Sequence, residues 1–232
     1  MHAKLARLIF GGTCFVCRGA ARGTLCESCD ADLPRLAPPS EMSLCPRCAL
    51  ESPSGAVCGR CLAQPPRYDA TIAALAYAFP ADALVHALKF RGELALAPLL
   101  GRLLLEKIAS PGVDCVIPVP LSRQRLRERG YNQAVEIARH LGSGKLAIDA
   151  CVRERDAPPQ AGLDREARRR NVRGAFRCQR SFAGERVALV DDVMTTGATL
   201  DELARALKEA GAASVVNWVV CRTAAETGPA HV

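Results

Sequence analysis

The chain has 232 residues, 49% of them apolar and only 4% aromatic, with 31 Lys and Arg against 24 Asp and Glu for a formal charge of +7. That balance excludes global disorder and predicts a packed core, while the scarcity of aromatic rings argues against a general single-strand binder built on base stacking. The length allows one main domain of ordinary size and a small appendage.

The opening stretch "MHAKLARLIFGG" is too short in its apolar part for a signal-peptide core, and no apolar run approaches the ~20 residues of a spanning helix. The chain therefore reads as soluble and cytoplasmic, a setting in which thiols stay reduced. Eight of the twelve cysteines fall in the first 61 residues as four C-x-x-C pairs, Cys14/Cys17, Cys26/Cys29, Cys45/Cys48 and Cys58/Cys61. Two thiolates three positions apart on a tight turn can point at one ion, and two such turns complete a tetrahedral sulfur shell for Zn²⁺. Sequential pairing gives two similar units, 14 to 29 and 45 to 61, each closing its own structural zinc. Pairing Cys26/Cys29 with Cys45/Cys48 also fits a zinc spacing. Cys115, Cys151, Cys178 and Cys221 lie in apolar segments and read as small buried residues.

A Pro-rich hinge, "AQPPRY" (63–68), separates this head from the rest. A strand is expected over 70–79, where a helix also fits the pattern, and a helix over 81–90, with His86 and Lys89 on one face, where a site-facing and a solvated role for Lys89 both fit. A second helix over 94–110 stops at Pro111-Gly112. Strands and helices then alternate: strand 113–120, helix 132–142, strand "LAIDACVR" (146–153), a strand near "GAFRC" (174–178), strand 186–190, helix 198–210 and strand 214–220. Such alternation predicts a mostly parallel sheet with helices on both faces, with ligands outside the carboxyl ends of its strands. Between these elements, "LSRQRLRERG" (121–130) holds four Arg and one Glu, and residues 153–180 hold nine Arg against four acids. A polyanion clamp and a solvated basic face both fit that charge.

The segment "VALVDDVMTTGATL" (187–200) ends an apolar strand in two adjacent acids, then opens a helix through Thr195, Thr196, Gly197 and Thr199. Amides and hydroxyls at a helix N-terminus make a phosphate site. Acids beside it make no sense as phosphate contacts, but they can accept from the vicinal hydroxyls of a sugar whose phosphate sits in the loop. Together they describe a ribose 5-phosphate pocket.

These residues resemble the phosphoribosyl pyrophosphate signature of type I phosphoribosyltransferases. With the eight-cysteine head, "HALKFRGE" (86–93), "PVPLSRQRLRERGYNQA" (118–134) and "PPQAGLDREARRRNVRGAF" (158–176) in the same order, the chain is similar to the ComF family over roughly residues 10 to 222. The resemblance implies an α/β chain of type I phosphoribosyltransferase fold, a mostly parallel sheet with helices on both faces, behind a small zinc-ribbon head with four cysteines to each metal. Residues 1–64 would form the double zinc ribbon and 65–232 the phosphoribosyltransferase-like domain. It implies that Asp191 and Asp192 hold the ribose hydroxyls, and that Thr195, Thr196, Gly197, Ala198 and Thr199 hold the 5-phosphate. Val119, Pro120, Leu121 and Ser122, with Arg123 and Arg129, would bind pyrophosphate together with Mg²⁺. Segment 153–173 stands where the family carries a closing loop, which makes Arg155, Arg165 and Arg169 catalytic candidates with Gln160 and Asn171 beside them. Thr195 replaces an acid of the purine-salvage relatives and cannot serve as a general base, which argues against purine salvage. The family name points to DNA uptake in natural competence, with single-stranded DNA and a helicase-like protein as partners. A transferase acting on phosphoribosyl pyrophosphate and a non-catalytic zinc-ribbon adaptor or DNA-binding protein are both compatible with these residues.

Overall fold

A computed structural model describes residues 12–36, 44–108, 112–142, 145–155 and 172–224. The first cysteine unit contributes the short antiparallel strands β1 (Gly12–Thr13) and β2 (Ala20–Ala21) and helix α1 (Glu27–Ala31); the second contributes α2 (Gly59–Ala63). The chain continues through β3 (Ala70–Ala76), α3 (Ala81–Phe90), α4 (Ala97–Leu105), β4 (Cys115–Pro118), α5 (Arg123–Arg129), α6 (Gln133–Ala138) and β5 (Lys145–Leu146). It ends with β6 (Cys151–Arg153), β7 (Phe176–Cys178), β8 (Arg186–Met194), α7 (Ala198–Glu209) and β9 (Ser214–Arg222). Five strands form one sheet in the order β3-β9-β8-β4-β5, and every pairing in it is parallel.

Strand β8 lies at the centre of this sheet, so both its faces are covered and residues 187–190 are apolar without a break. Ala188 and Val190 join Trp218 and Val220 under Leu84, Leu88, Leu100, Leu104 and Ile137 of α3, α4 and α6. Val187 and Leu189 join Val215 and Val219 under Leu200, Leu203 and Leu207 of α7. The two cysteine units divide between the faces. Phe15, Val16 and Leu25 of the first pack on the α3–α4 side, whereas Cys45, Cys48, Ala49 and Cys61 of the second belong to the α7-side core. Between the units, Arg35 pairs antiparallel with Leu75, and the Leu36 and Ala76 amides bond the Ala74 and Pro34 carbonyls at 3.0 and 2.8 Å. The connecting chain thus covers the open edge of β3.

Three expectations are corrected. The single strand read over 146–153 is two strands in different sheets: β5 pairs with β4, and β6 pairs antiparallel with β7. The reason is Pro118. Val116 accepts from the Ala147 amide on the β5 side, and one pleat further Pro118 has no N–H to offer there, so the ladder stops. The strand read over 186–190 continues to Met194, because β9 supplies partners to its end: Asp191 lies opposite Val219 and Val193 opposite Cys221. The helix read over 94–110 is a 3₁₀ turn at Leu94–Leu96 followed by α4. No helix among the described residues is long and apolar enough to cross a membrane.

Helices α4 and α6 touch through Gly101, where a Cβ would stand 2.7 Å from the His140 Cβ and 3.0 Å from the Ile137 carbonyl oxygen. Gly101→Ala is therefore expected to lose about 1–3 kcal/mol in urea unfolding, despite the better helix propensity of alanine.

Candidate functional site

The two cysteine units each bring four sulfurs together: Cys14, Cys17, Cys26 and Cys29 in one group, Cys45, Cys48, Cys58 and Cys61 in the other, with all ligand atoms within 4.8 Å of one another. The sulfurs of Cys17 and Cys26 lie 3.6 Å apart and those of Cys48 and Cys58 lie 3.7 Å apart, close to the edge of a tetrahedron with metal–sulfur bonds of about 2.3 Å. Turn amides point at the sulfurs, with the Cys58 amide on the Cys45 sulfur at 3.3 Å. Burial would raise the Cys14 and Cys45 thiols, but amide hydrogen bonds outweigh it and bring them down to about 6 and about 7. Both clusters fit structural zinc sites, and the pairing is sequential. Elsewhere, Cys115, Cys151 and Cys221 are buried, and half-buried Cys178 faces Cys151 across β6–β7 with 3.5 Å between sulfurs.

A cavity of about 870 Å³ opens at the carboxyl ends of the parallel strands. Asp191 and Asp192 reach it from β8, Thr195 and Thr199 from the loop and first turn of α7, and Val119, Pro120 and Leu121 from the end of β4. Tyr77, just beyond β3, and His86, Lys89 and Phe90 of α3 line it too, as do Arg125, Arg129, Gln133 and Arg153.

Asp192 is 2% exposed, and its Oδ2 lies 3.0 Å from the Lys89 Nζ. Gln133 Nε2 donates to Oδ1 at 3.4 Å. Burial would raise this carboxyl, but the Lys89 charge and these hydrogen bonds hold it below the usual carboxylate range. Asp191 is half-buried; desolvation and the adjacent Asp192 charge push its carboxyl well above that range. The two carboxyls therefore titrate as a coupled pair whose acidities are pushed apart, Asp192 ionising more readily than Asp191. Burial opposes the Lys89 charge, yet the two carboxylates outweigh it and hold the ammonium above its ordinary range. Of the two readings left open for Lys89, the site-facing one is what the structure has.

The loop beyond the acids is fixed by Gly197 (φ +81°), the N-cap of α7; a Cβ there would stand 2.7 Å from Met194 Cε and 3.0 Å from the Tyr68 hydroxyl. A glycine cap has no side chain to bond the first amides of α7, and this twelve-residue helix directs its N-terminus to the cavity edge where Thr195 and Thr199 stand.

Other expected residues are placed differently. Ser122 is 2% exposed and caps α5, its Oγ accepting from the Arg125 amide at 3.3 Å, so it does not line the cavity. Arg123 is exposed and also absent from the lining, because helical spacing turns Arg125 and Arg129 inward and Arg123 and Arg127 outward. Arg129 also stacks on the Phe90 ring at 5.5 Å. Arg155 is exposed outside the cavity. Arg165 and Arg169, with Gln160 and Asn171, lie outside the described residues. Arg125, Gln133, Arg153 and Tyr77 were not singled out from the sequence. Their signal was the basic spacing of α5 alone, since the others meet the site through long-range packing.

The chain matches the family model described as phosphoribosyl transferase domain over residues 126–231 and that described as double zinc ribbon domain over residues 5–62. It is 34% identical over 226 residues to the DNA utilization protein YhgH of Escherichia coli strain K12, covering 91% of this chain and 97% of that one. It is 32% identical over 231 residues to competence protein F of Haemophilus influenzae, covering 92% and 98%. Among solved structures, a purine phosphoribosyltransferase from Pyrococcus horikoshii aligns at 20% identity with a TM-score of 0.34, over 54% of this chain and 81% of that one.

Lys89→Met leaves the buried Asp192 carboxylate without its counter-ion and is expected to lower stability by about 1–3 kcal/mol in urea at neutral pH. In the variant the Asp192 carboxyl titrates higher when folded than when unfolded, so the penalty is present at high pH and relieved as the group protonates. The difference from wild type should be largest at alkaline pH and shrink as the pH falls.

Proposed function

The chain belongs to the ComF family, phosphoribosyltransferase-domain proteins headed by a double zinc ribbon, and from that premise we propose that its cavity binds phosphoribosyl pyrophosphate or a related ribose 5-phosphate ester in the service of DNA uptake or use. One observation carries the reading: the acidic pair of β8 and the N-terminus of α7 face a single cavity that arginines also line. The acids suit a sugar diol, the helix end suits a monophosphate, and Arg125, Arg129 and Arg153 of the same lining suit a pyrophosphate.

In a transferase of this kind, an acceptor nucleophile forms a bond to C1 of the ribose as the C1–oxygen bond to pyrophosphate breaks, and the acceptor gives up a proton. Mg²⁺ entering with the pyrophosphate adds counter-charge to the leaving group. The arginine wall stabilises the same charge, and Asp191 and Asp192 hold the sugar in place. Thr195 supports an acceptor other than a salvaged purine, because no carboxylate stands at that position. Calorimetric titration with Mg²⁺ and phosphoribosyl pyrophosphate is expected to give saturable binding to wild type. Asp191→Asn, which keeps the shape of the side chain and removes the carboxyl, should bind about 10–100-fold more weakly. Equal affinity of the two proteins would move the ligand away from the acidic pair.

A second reading, single-stranded DNA as a partner, is supported by a strip of rings and cations running outward from the cavity. Arg129 stacks on Phe90, the His86 and Phe90 rings lie 4.8 Å apart, and a neighbouring 270 Å³ groove joins His86 to Phe79, Arg91, Phe15 and Arg18. Phe79 and Phe90 are 71% and 64% exposed. Alternating rings and cations suit splayed bases and their phosphates. Fluorescence anisotropy with oligo-dT should find Phe79→Ala weaker by roughly tenfold, corresponding to about 1–3 kcal/mol for a lost base stack. An unchanged affinity would remove this surface from the reading.

A further inference from the structure

Arg222, the last residue of β9, is 3% exposed and bonds two regions that lie far apart along the chain. Its Nε donates to the carbonyl of Cys48, a ligand position of the second cysteine cluster, at 2.8 Å. Its Nη1 donates to the carbonyls of Met194 at 2.8 Å and Thr195 at 2.5 Å, where β8 gives way to the loop before α7. A buried guanidinium spanning two backbone turns fixes each relative to the other. A second strut runs beside it. The Arg47 Nη1, between Cys45 and Cys48, donates to the Tyr68 carbonyl at 3.0 Å, and the Tyr68 hydroxyl packs against Gly197. The neighbouring Arg67 amide donates to Asp201 in the first turn of α7 at 2.6 Å.

Charge supplies the reason for coupling. A divalent ion in four thiolates carries a net charge of −2, which compensates a cation buried against it, whereas four neutral thiols do not. The first cluster has its own small core around Cys14, Ala21 and Cys29, and among the described residues no hydrogen bond joins it to the loop.

We propose that Arg222 is a positioning residue through which metal occupancy of the Cys45, Cys48, Cys58 and Cys61 cluster sets the shape of the 194–199 loop, which makes the second metal site, and not the first, an allosteric element of the ligand site. The effect on ligand binding rests on the sugar-phosphate reading above; the effect on the loop does not. Coupling of this kind is reciprocal, so ligand in the cavity also holds metal in the second cluster.

Hydrogen–deuterium exchange of the full zinc-loaded chain tests this. In Arg222→Lys, which keeps the charge but not the reach, exchange of the 194–199 peptide should rise at least tenfold while native mass spectrometry still counts two zinc ions. Cys61→Ser should loosen the same peptide, and Cys29→Ser should leave it as in wild type. Phosphoribosyl pyrophosphate should slow transfer of one of the two zinc ions to a chelator in wild type and lose that effect in Arg222→Lys, a readout that plain structural support would not move. The proposal is overturned if the loop of Arg222→Lys exchanges as in wild type, if Cys29→Ser loosens it as much as Cys61→Ser, or if Arg222→Lys loosens the whole sheet equally. Should Cys61→Ser fail to fold, Arg222→Lys alone decides. Should wild type bind no phosphoribosyl pyrophosphate, the sugar-phosphate reading fails and the exchange data still decide the coupling.

Discussion

A carboxylate buried at the end of a central strand needs a counter-ion, and the pairing of Asp192 with Lys89 meets that need while organising everything around it. An isolated charge at this depth would take up a proton instead. With Lys89 beside it, the Asp192 carboxyl is held down, while that of Asp191 is raised by burial and by its neighbour's charge. The interaction also ties α3 to β8 across the cavity mouth, so the helix that brings His86 and Phe90 to the site is held by the acids it frames.

The zinc-ribbon head is part of this construction at two different depths. Its first unit is a satellite with a core of three buried residues, packed against the α3–α4 side through Phe15, Val16 and Leu25. Its second unit shares the α7-side core and bonds β3 directly, the Thr71 amide reaching the Pro46 carbonyl at 3.1 Å and the Thr71 hydroxyl reaching the Arg47 carbonyl at 2.6 Å. Metal binding supplies folding energy to such short segments. In the second unit that energy is delivered where the sheet and the N-terminal end of α7 meet.

The features legible in the sequence were those encoded by neighbours. Four C-x-x-C pairs, with short gaps inside each unit and a longer one between the units, indicated the two clusters, and an apolar run ending in Asp191 and Asp192 before T-T-G-x-T indicated the strand, the loop and the helix start. What escaped depends on partners distant along the chain. One missing N–H at Pro118 divides "LAIDACVR" between two sheets. Ser122 is taken by the cap of α5, which turns Arg125 rather than Arg123 to the cavity. Arg222, an unremarked cation at the end of an apolar strand, gains its role only because β9 ends beside both Cys48 and Met194.

The central claim is that the end of β8 and the N-terminus of α7 together hold a sugar phosphate. A crystal structure of the zinc-loaded protein with Mg²⁺ and phosphoribosyl pyrophosphate tests it most directly. The account predicts ligand density in the cavity, with the ribose hydroxyls within hydrogen-bonding distance of Asp191 and Asp192 and the 5-phosphate on the amides of residues 196–199. Density with the sugar away from both acids, or an empty cavity at a ligand concentration that saturates the protein in solution, would contradict it.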